Sequence, residues 1–444
     1  VLNHSPRSIR ETAFGTLGAI LLSIAGCGRD APPPNATDAM NRIAESYVRL
    51  ALALGEHDPS YVDAYYGPPE WREQAKARKQ PLDSIRSELE KLQGELAGVR
   101  PDSSDSLLPL RHEYLTKQLR AMKGRLEFLG GKKAAFDEES AVLYDAVAPT
   151  LGEEHFKEVL ARLDRELPGK GPVPARFEAY RAKFAIPRAR LDSVFRTAIA
   201  ECRSRTARHI DLPPDESFTV EYVNDKPWSG YNWYQGGYRS VIQVNTDLPI
   251  FIDRAVDLAC HEGYPGHHVY NLLLERELVR KRGWTEFTIY PLFSPQSLIA
   301  EGSANYGITM AFPGQERVTF ERERLFPLAG LDPSRAERYY RVMALQKQLA
   351  YAGNEAARRY LNGEADSAAA EGWLTRYALM EPARARQRIR FFDTYRSYVI
   401  NYNLGEDLVG QYVEHEGGDD QARRWKVFAA LLSSPRLPSG LEQR

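Results

Sequence analysis

Cysteine is scarce in this chain: Cys27, Cys202 and Cys260 are the only three in 444 residues. A fold stapled by several disulfides is therefore excluded. An excess of one charge is equally lacking, since 59 Lys and Arg oppose 60 Asp and Glu for a formal net charge of -1. The two signs are interspersed, which removes the electrostatic footprint that holds nucleic acid, and nucleic acid is set aside as a partner. Long apolar runs are missing too. The one candidate, 13–25, is 13 residues long, shorter than the ~20 a helix needs to cross hydrocarbon. Internal repeats are absent, and the only low-complexity tract is a short proline-rich piece at 32–34. With 43% hydrophobic and 27% charged residues, the composition is that of a globular protein large enough for one big core or two lobes.

Arg7 and Arg10 precede the apolar run, which ends in Ile24-Ala25-Gly26-Cys27. A basic start, a short apolar stretch and small residues at its end form the pattern of a secretory signal. The residues around Cys27 resemble the lipobox of bacterial lipoproteins, in which the cysteine thiol is acylated and becomes the new N-terminus. That resemblance implies a signal peptide over 1–26 and a tether over 27–36, kept extended by Pro32-Pro33-Pro34. The expected membrane contact is through lipidated Cys27 alone, with several acyl chains giving a stable anchor. The expected location is the bacterial cell envelope, on the periplasmic face of the outer membrane. Cys202 and Cys260 then remain in a compartment that permits disulfides. Cys260 sits inside an apolar helical pattern, so one bridge and two buried free thiols both stay open.

Helical periodicity dominates 37–210, which reads as a helical N-terminal lobe. Phe156, Val159, Leu160, Leu163 and Leu167 form one apolar stripe on a charged helix. Similar stripes run through 39–54, 82–96, 115–129 and 191–209, with breaks at Tyr66-Gly67-Pro68-Pro69 and Pro168-Gly169-Lys170-Gly171-Pro172. The texture changes at Asp211-Leu212-Pro213-Pro214. Beyond it, β-branched and aromatic residues in 218–223 and 231–244, interrupted by Gly236-Gly237, carry strand and hairpin signals. Helical patterns resume at Ile252 and include 335–361, 367–379 and 383–398. The fold class predicted is mainly α, with a small antiparallel β-sheet beside the active-site helix and a catalytic lobe over 211–444.

That helix carries the chemistry. Ile252, Ala255, Val256, Ala259 and Cys260 make an apolar face that delivers His261 and Glu262 at its end. Zinc hydrolases place two histidines at i and i+4 on one helix, with a glutamate beside the metal-bound water. Here the spacing departs from that rule. On an unbroken helix His267 would point about 240° away from His261, and His268 would lie on the same face but about 10 Å further along. Between them, however, stands Gly263-Tyr264-Pro265-Gly266, and Pro265 would clash with the His261 carbonyl if the helix continued. The helix is therefore expected to break after Glu262 and resume near His267, the glycines allowing His267 to swing back toward His261. A catalytic zinc keeps three protein ligands and one open position. Glu301, in Ala300-Glu301-Gly302-Ser303-Ala304-Asn305-Tyr306, is the candidate third ligand. Asn305, one turn later, is placed to hydrogen-bond a ligand imidazole. His268 stays open as an alternative to His267.

The pairing of His-Glu-x-x-Pro-Gly-His with a downstream Glu-Gly-x-Ala-x-Tyr resembles the bacterial family called domain of unknown function 885. The resemblance covers most of the mature chain, including the strand region and Tyr402-Asn403-Leu404-Gly405. It implies a helical fold akin to gluzincin peptidases, with the carboxypeptidase Taq family as a more distant parallel. It also implies His261, His267 and Glu301 as ligands to Zn2+, with Glu262 as general base. Ser303 stands where that family often has Trp, a change to the pocket rather than to the ligand set.

The expected function is that of a zinc metallopeptidase acting on peptide substrates. Glu262 would take a proton from the water and return it to the leaving amine, and Tyr402 would donate to the oxyanion, with Tyr398 and Tyr264 behind it. A strand over 240–245 could offer an edge to an extended peptide, and Trp228, Tyr231, Trp233, Tyr234 and Tyr238 could line its cleft. Arg239 and Arg396 are candidates for a substrate carboxylate. A zinc hydrolase of non-peptide amides or esters and an inactive lipid-anchored binding protein are the alternatives; Glu262 counts against the second, since a scaffold needs no base beside a metal.

Overall fold

Apolar residues three and four apart build the first half of the molecule. In the helix Ala36–Gly55 the buried face includes Met40, Ile43, Tyr47, Val48, Ala51 and Leu54, the stripe expected of an amphipathic helix. In Glu153–Glu166, Phe156, Val159 and Leu163 are buried. The computed structural model describes residues 36–442 apart from Pro227; the expected signal segment, Cys27 and the expected tether up to residue 35 lie outside the described residues, and Ala36 opens the first helix. Helices also dominate the second half, and two of them start on aspartate caps. Asp366 accepts from the Ala369 amide, and Asp420 from those of Ala422 and Arg423. The described residues form one compact unit, and none of their helices is long and apolar enough to cross a membrane.

The strands are β1 (Val62–Tyr65), β2 (Ser217–Val223), β3 (Gly230–Gly236), β4 (Arg239–Asn245) and β5 (Ile289–Pro291). β1 pairs antiparallel with β5. The other three make one sheet in the order β2-β4-β3. β3 and β4 form an antiparallel hairpin whose turn uses Gly236 and Gly237 at φ 77° and 62°, backbone angles that favour glycine. β2, however, runs parallel to β4, so the sheet is mixed rather than purely antiparallel. The crossover that makes this possible is pinned by Asn245, whose Nδ2 donates to the carbonyls of Lys226 (2.9 Å) and Trp228 (3.0 Å). β4 is therefore the central strand, and the edge role expected for 240–245 is corrected: both of its sides are occupied.

Two close approaches set the rest of the frame. The helix Pro295–Ala311 meets the helix Ile400–Gly417 at Gly302 and Gly405. A Cβ on Gly302 would lie 2.3 Å from the Gly405 carbonyl carbon, so only glycine lets these backbones touch. A fully buried ion pair, Arg111 to Glu286 at 2.6 Å, joins the helix Leu107–Leu129 to the segment leading into β5. Taking one partner of such a pair away leaves an uncompensated buried charge, at a cost of about 3–5 kcal/mol.

Candidate metal centre

The helix Asp253–Leu258 widens into a π-type turn over Ala259–Gly263. The Tyr264 amide donates back to the Ala259 carbonyl, and the Gly266 amide to that of Cys260 at 2.9 Å. A new helix, His267–Leu274, then begins. The helical turn runs through Gly263, one residue beyond the break expected after Glu262, and the chain then reverses over 264–266 and resumes at His267 as expected. At Gly266 this return is so tight that a Cβ would sit 1.9 Å from the His261 carbonyl oxygen. No other residue fits there.

This fold-back brings His261 and His267 together, their Nε2 atoms 3.1 Å apart. Glu301 reaches the same point from the Pro295–Ala311 helix, its Oε2 lying 3.3 Å from His261 Nε2 and 3.7 Å from His267 Nε2. All three ligand-type atoms lie within 4.8 Å of one another. The hydrogen positions follow from the neighbours. Asn305 Nδ2 donates to the Tyr402 carbonyl (2.8 Å), so its Oδ1 faces His261 Nδ1 (2.8 Å) and accepts that ring's hydrogen. In the neutral ring the lone pair is then on Nε2, aimed at His267 and Glu301. Tyr398 donates to Glu301 Oε1 (2.8 Å) and orients the carboxylate. Glu301 Oε2 is buried without a hydrogen-bond partner.

A buried carboxylate oxygen with no donor, facing two imidazole nitrogens, fits a divalent metal ion. Electrostatics agree. Burial presses the His261 imidazole down, but the carboxylates of Glu301 and Glu262 outweigh it and bring it up to about 9. Burial pushes the Glu301 carboxyl up, and His261 and His267 hold it far below the usual carboxylate range. The field at this point favours positive charge.

The group opens on a cavity of 1530 Å³, which Glu262 and Tyr402 also line. Glu262 is placed by β3: Asn232 Nδ2 donates to its carbonyl at 2.7 Å, and a Cβ on Gly230 would lie 2.9 Å from Glu262 Oε1. Burial and the nearby Glu301 push the Tyr402 hydroxyl well above its ordinary range, so it stays a donor. The other tyrosines are committed elsewhere. Tyr398 holds Glu301, and Tyr264 points away from the cavity to donate to Glu216 at 2.6 Å. His268 is not part of the group. Its Nδ1 meets Ser240 Oγ (2.8 Å) and its Nε2 meets Glu216 (3.0 Å), so both ring nitrogens are engaged in the core.

Other expectations fare unevenly. Trp228, Tyr231, Trp233 and Tyr234 line the cavity, whereas Tyr238 lies under the Arg280 guanidinium. Arg396 is ion-paired to Glu139 at 2.5 Å, and Arg239 is exposed on β4 outside the cavity lining, so neither serves as a carboxylate receptor there. Cys202 and Cys260 are both buried and free. Asp63 of β1 escaped the sequence reading altogether. It lines the cavity and accepts from the Tyr231 hydroxyl; burial, opposed by Tyr231 and His267, lifts its carboxyl to about 6. Nothing around Asp63 resembles a motif, so no local signal could have found it.

No protein-family model matches the chain, and neither does any curated protein. Among solved structures it is similar to a lipoprotein candidate from Colwellia psychrerythraea, at 15% identity over 79% of this chain and 69% of that one, with a TM-score of 0.50. It is also similar to metallocarboxypeptidase 1 of Trypanosoma cruzi, at 13% identity over 89% of this chain and 91% of that one, with a TM-score of 0.44. A third is the M32 carboxypeptidase of Deinococcus radiodurans R1, at 12% identity over 89% and 90% of the two chains, with a TM-score of 0.45. At such identities the likeness is one of fold.

Proposed function

We propose that this protein is a zinc-dependent hydrolase, a metallopeptidase that cleaves peptides and is held in the bacterial cell envelope by lipid on Cys27. The observation that carries this reading is the convergence of His261, His267 and the undonated Glu301 oxygen beside Glu262, at the wall of a cavity large enough for several residues of substrate. Two imidazoles and a carboxylate with one position left open suit catalytic zinc. A zinc ion held by these three side chains would supply Lewis acidity toward the scissile carbonyl and lower the pKa of water to roughly 7.

The remaining work belongs to the chain. Glu262, whose position is limited by Gly230 and Asn232, takes the proton of the attacking water on its carboxylate and delivers it to the leaving nitrogen. Tyr402 donates its hydroxyl hydrogen to the oxyanion that develops at the carbonyl. Asn305 keeps the His261 ring in one tautomer, and Tyr398 keeps Glu301 from rotating. β3 ends the sheet and its residues Gly230 to Tyr234 line the cavity, so the peptide-pairing role that β4 cannot fill is assigned to it.

The test is a peptide-library digest by the purified protein and by Glu262→Gln, with zinc content measured on both. Cleavage by the wild type, reduced ~10²–10⁴-fold in the variant at equal zinc, is expected. Zinc bound without cleavage of any peptide would overturn the peptidase reading. Turnover of esters or small amides alone would move it to a non-peptide hydrolase.

A further inference from the structure

The helix Pro382–Tyr395 presents Arg384, Gln387, Arg388, Phe391 and Tyr395 to the cavity. Their spacing of i, i+3, i+4, i+7 and i+11 marks one helical stripe, here facing solvent-filled space instead of the core. Most cations around this cavity already have a carboxylate. Arg181 pairs with Asp253 at 3.2 Å and Arg254 with Asp257 at 3.3 Å. Arg317 pairs with Asp257 at 2.8 Å, and Lys347 with Glu406 at 2.5 Å.

Arg384 and Arg388 have none. Neither makes an ion pair or hydrogen bond with any described residue, and Arg388 Nε is buried without a partner. The Arg388 guanidinium lies against aromatic rings instead, 4.7 Å from the centre of Phe391 and 5.8 Å from that of Tyr402. Burial pushes it down from its ordinary range, as it must for a cation with no counter-ion. Arg384, one turn earlier, is pushed down by desolvation at the cavity wall and then by the repulsion of Arg181, Arg254 and Arg388, with the Glu381 carboxylate opposing them. A part-buried guanidinium whose Nε has neither water nor a partner is costly. It is retained where an anion arrives from outside, because its planar fork matches a carboxylate.

The location adds a second argument. Arg388 packs on Tyr402, the Tyr402 carbonyl accepts from Asn305, and Asn305 holds His261. The unpaired cation is therefore built onto the same scaffold as the metal group, while Asp63, Glu262 and Glu301 supply the acidic side of the cavity. A substrate lying across the cavity meets a negative wall at one place and an unneutralised positive one at another.

We propose that Arg388, assisted by Arg384 nearer the solvent, receives a carboxylate of the substrate, so that the protein selects peptides bearing a free carboxylate near the bond that is cut. This rests on the peptidase reading for its kinetic arm only. The carboxylate has two possible sources, the peptide C-terminus or an acidic side chain.

The experiment uses one cleavable peptide in three forms: free acid, C-terminal amide, and a form with its acidic side chains replaced by their amides. Wild type, Arg388→Ala and Arg388→Met are compared, the methionine keeping an unbranched stem over Phe391 and Tyr402. In the wild type, removing the relevant carboxylate should raise KM by about tenfold or more, with a smaller effect on kcat, since charge-assisted hydrogen bonds are lost. The form that suffers identifies the source. In both variants that ratio should fall to within about twofold of unity. An equal penalty in wild type and variants overturns the assignment. If no peptide is cleaved, the peptidase reading fails by itself, and the same three peptides are then titrated by calorimetry. Loss of the carboxylate preference in Arg388→Met supports the site; an unchanged preference in that variant, or none in the wild type, removes it.

Discussion

Toward the cavity, His261, His267 and Glu301 bring three ligand-type atoms together, and the Glu301 Oε2 among them has no hydrogen-bond partner. On the far side of the same chain reversal, His268, Glu216, Tyr264 and Ser240 use the same kinds of side chain and leave nothing unmatched. Arg203 donates to Glu216 Oε1, while Tyr264 and His268 both approach Oε2. Glu216 can only accept, so His268 Nε2 donates, and in the neutral ring Nδ1 accepts from the Ser240 hydroxyl. Adjacent histidines therefore end up in opposite situations. A matched polar network holds structure together, whereas an acceptor-rich group without donors is fitted to bind a cation.

The comparison can be broken most directly at the proposed ligands. Glu301→Ala and His261→Ala are each expected to abolish stoichiometric zinc by elemental analysis, and undiminished metal in both would end the assignment. Next in size are the residues that hold those ligands: Asn305→Ala and Tyr398→Phe should weaken zinc ~10–100-fold in competition with a chelator. If neither shifts the affinity, their contacts do not orient the site.

The buried network should respond through stability instead. His268→Ala removes a partner from an enclosed carboxylate, and about 2–4 kcal/mol lost in urea unfolding is expected, with zinc still bound one per chain. Loss of zinc with no loss of stability would reverse the roles given to the two histidines. The smallest effect concerns acid. Burial alone would raise the Glu216 carboxyl, but the bonds from His268, Tyr264 and Arg203 bring it to about 2. Its folded value lies below its unfolded one, so its contribution is complete above the ordinary glutamate range of about 4.3 and is lost as pH falls toward 2. Unfolding midpoints followed between those limits should show a shallower acid dependence in His268→Ala than in the wild type.

Much of this was legible before the fold was known. The reversal over 264–266 follows from Pro265 and the glycines that flank it, which act on their immediate neighbours. Helical stripes such as Phe156, Val159 and Leu163 lie within one element. The role of Gly302 was harder to read, because its reason is a backbone contact with Gly405. Asp63 and Arg388 were illegible for the same cause: each matters through what surrounds it, and those surroundings come from distant segments. The central position of β4 was misread because strand-forming composition does not state which strands pair.

By itself the sequence determined where helices run, where the metal-type helix must break, and which histidines and glutamates are candidates, since these depend on residues a few positions apart. Only the tertiary structure decided which acceptors stay unmatched. Tyr398 meets Glu301 across 97 residues of chain and Tyr231 meets Asp63 across 168. His267 and His268 have nearly the same local sequence, and what distinguishes them is the hydrogen-bond partners that packing brings to each.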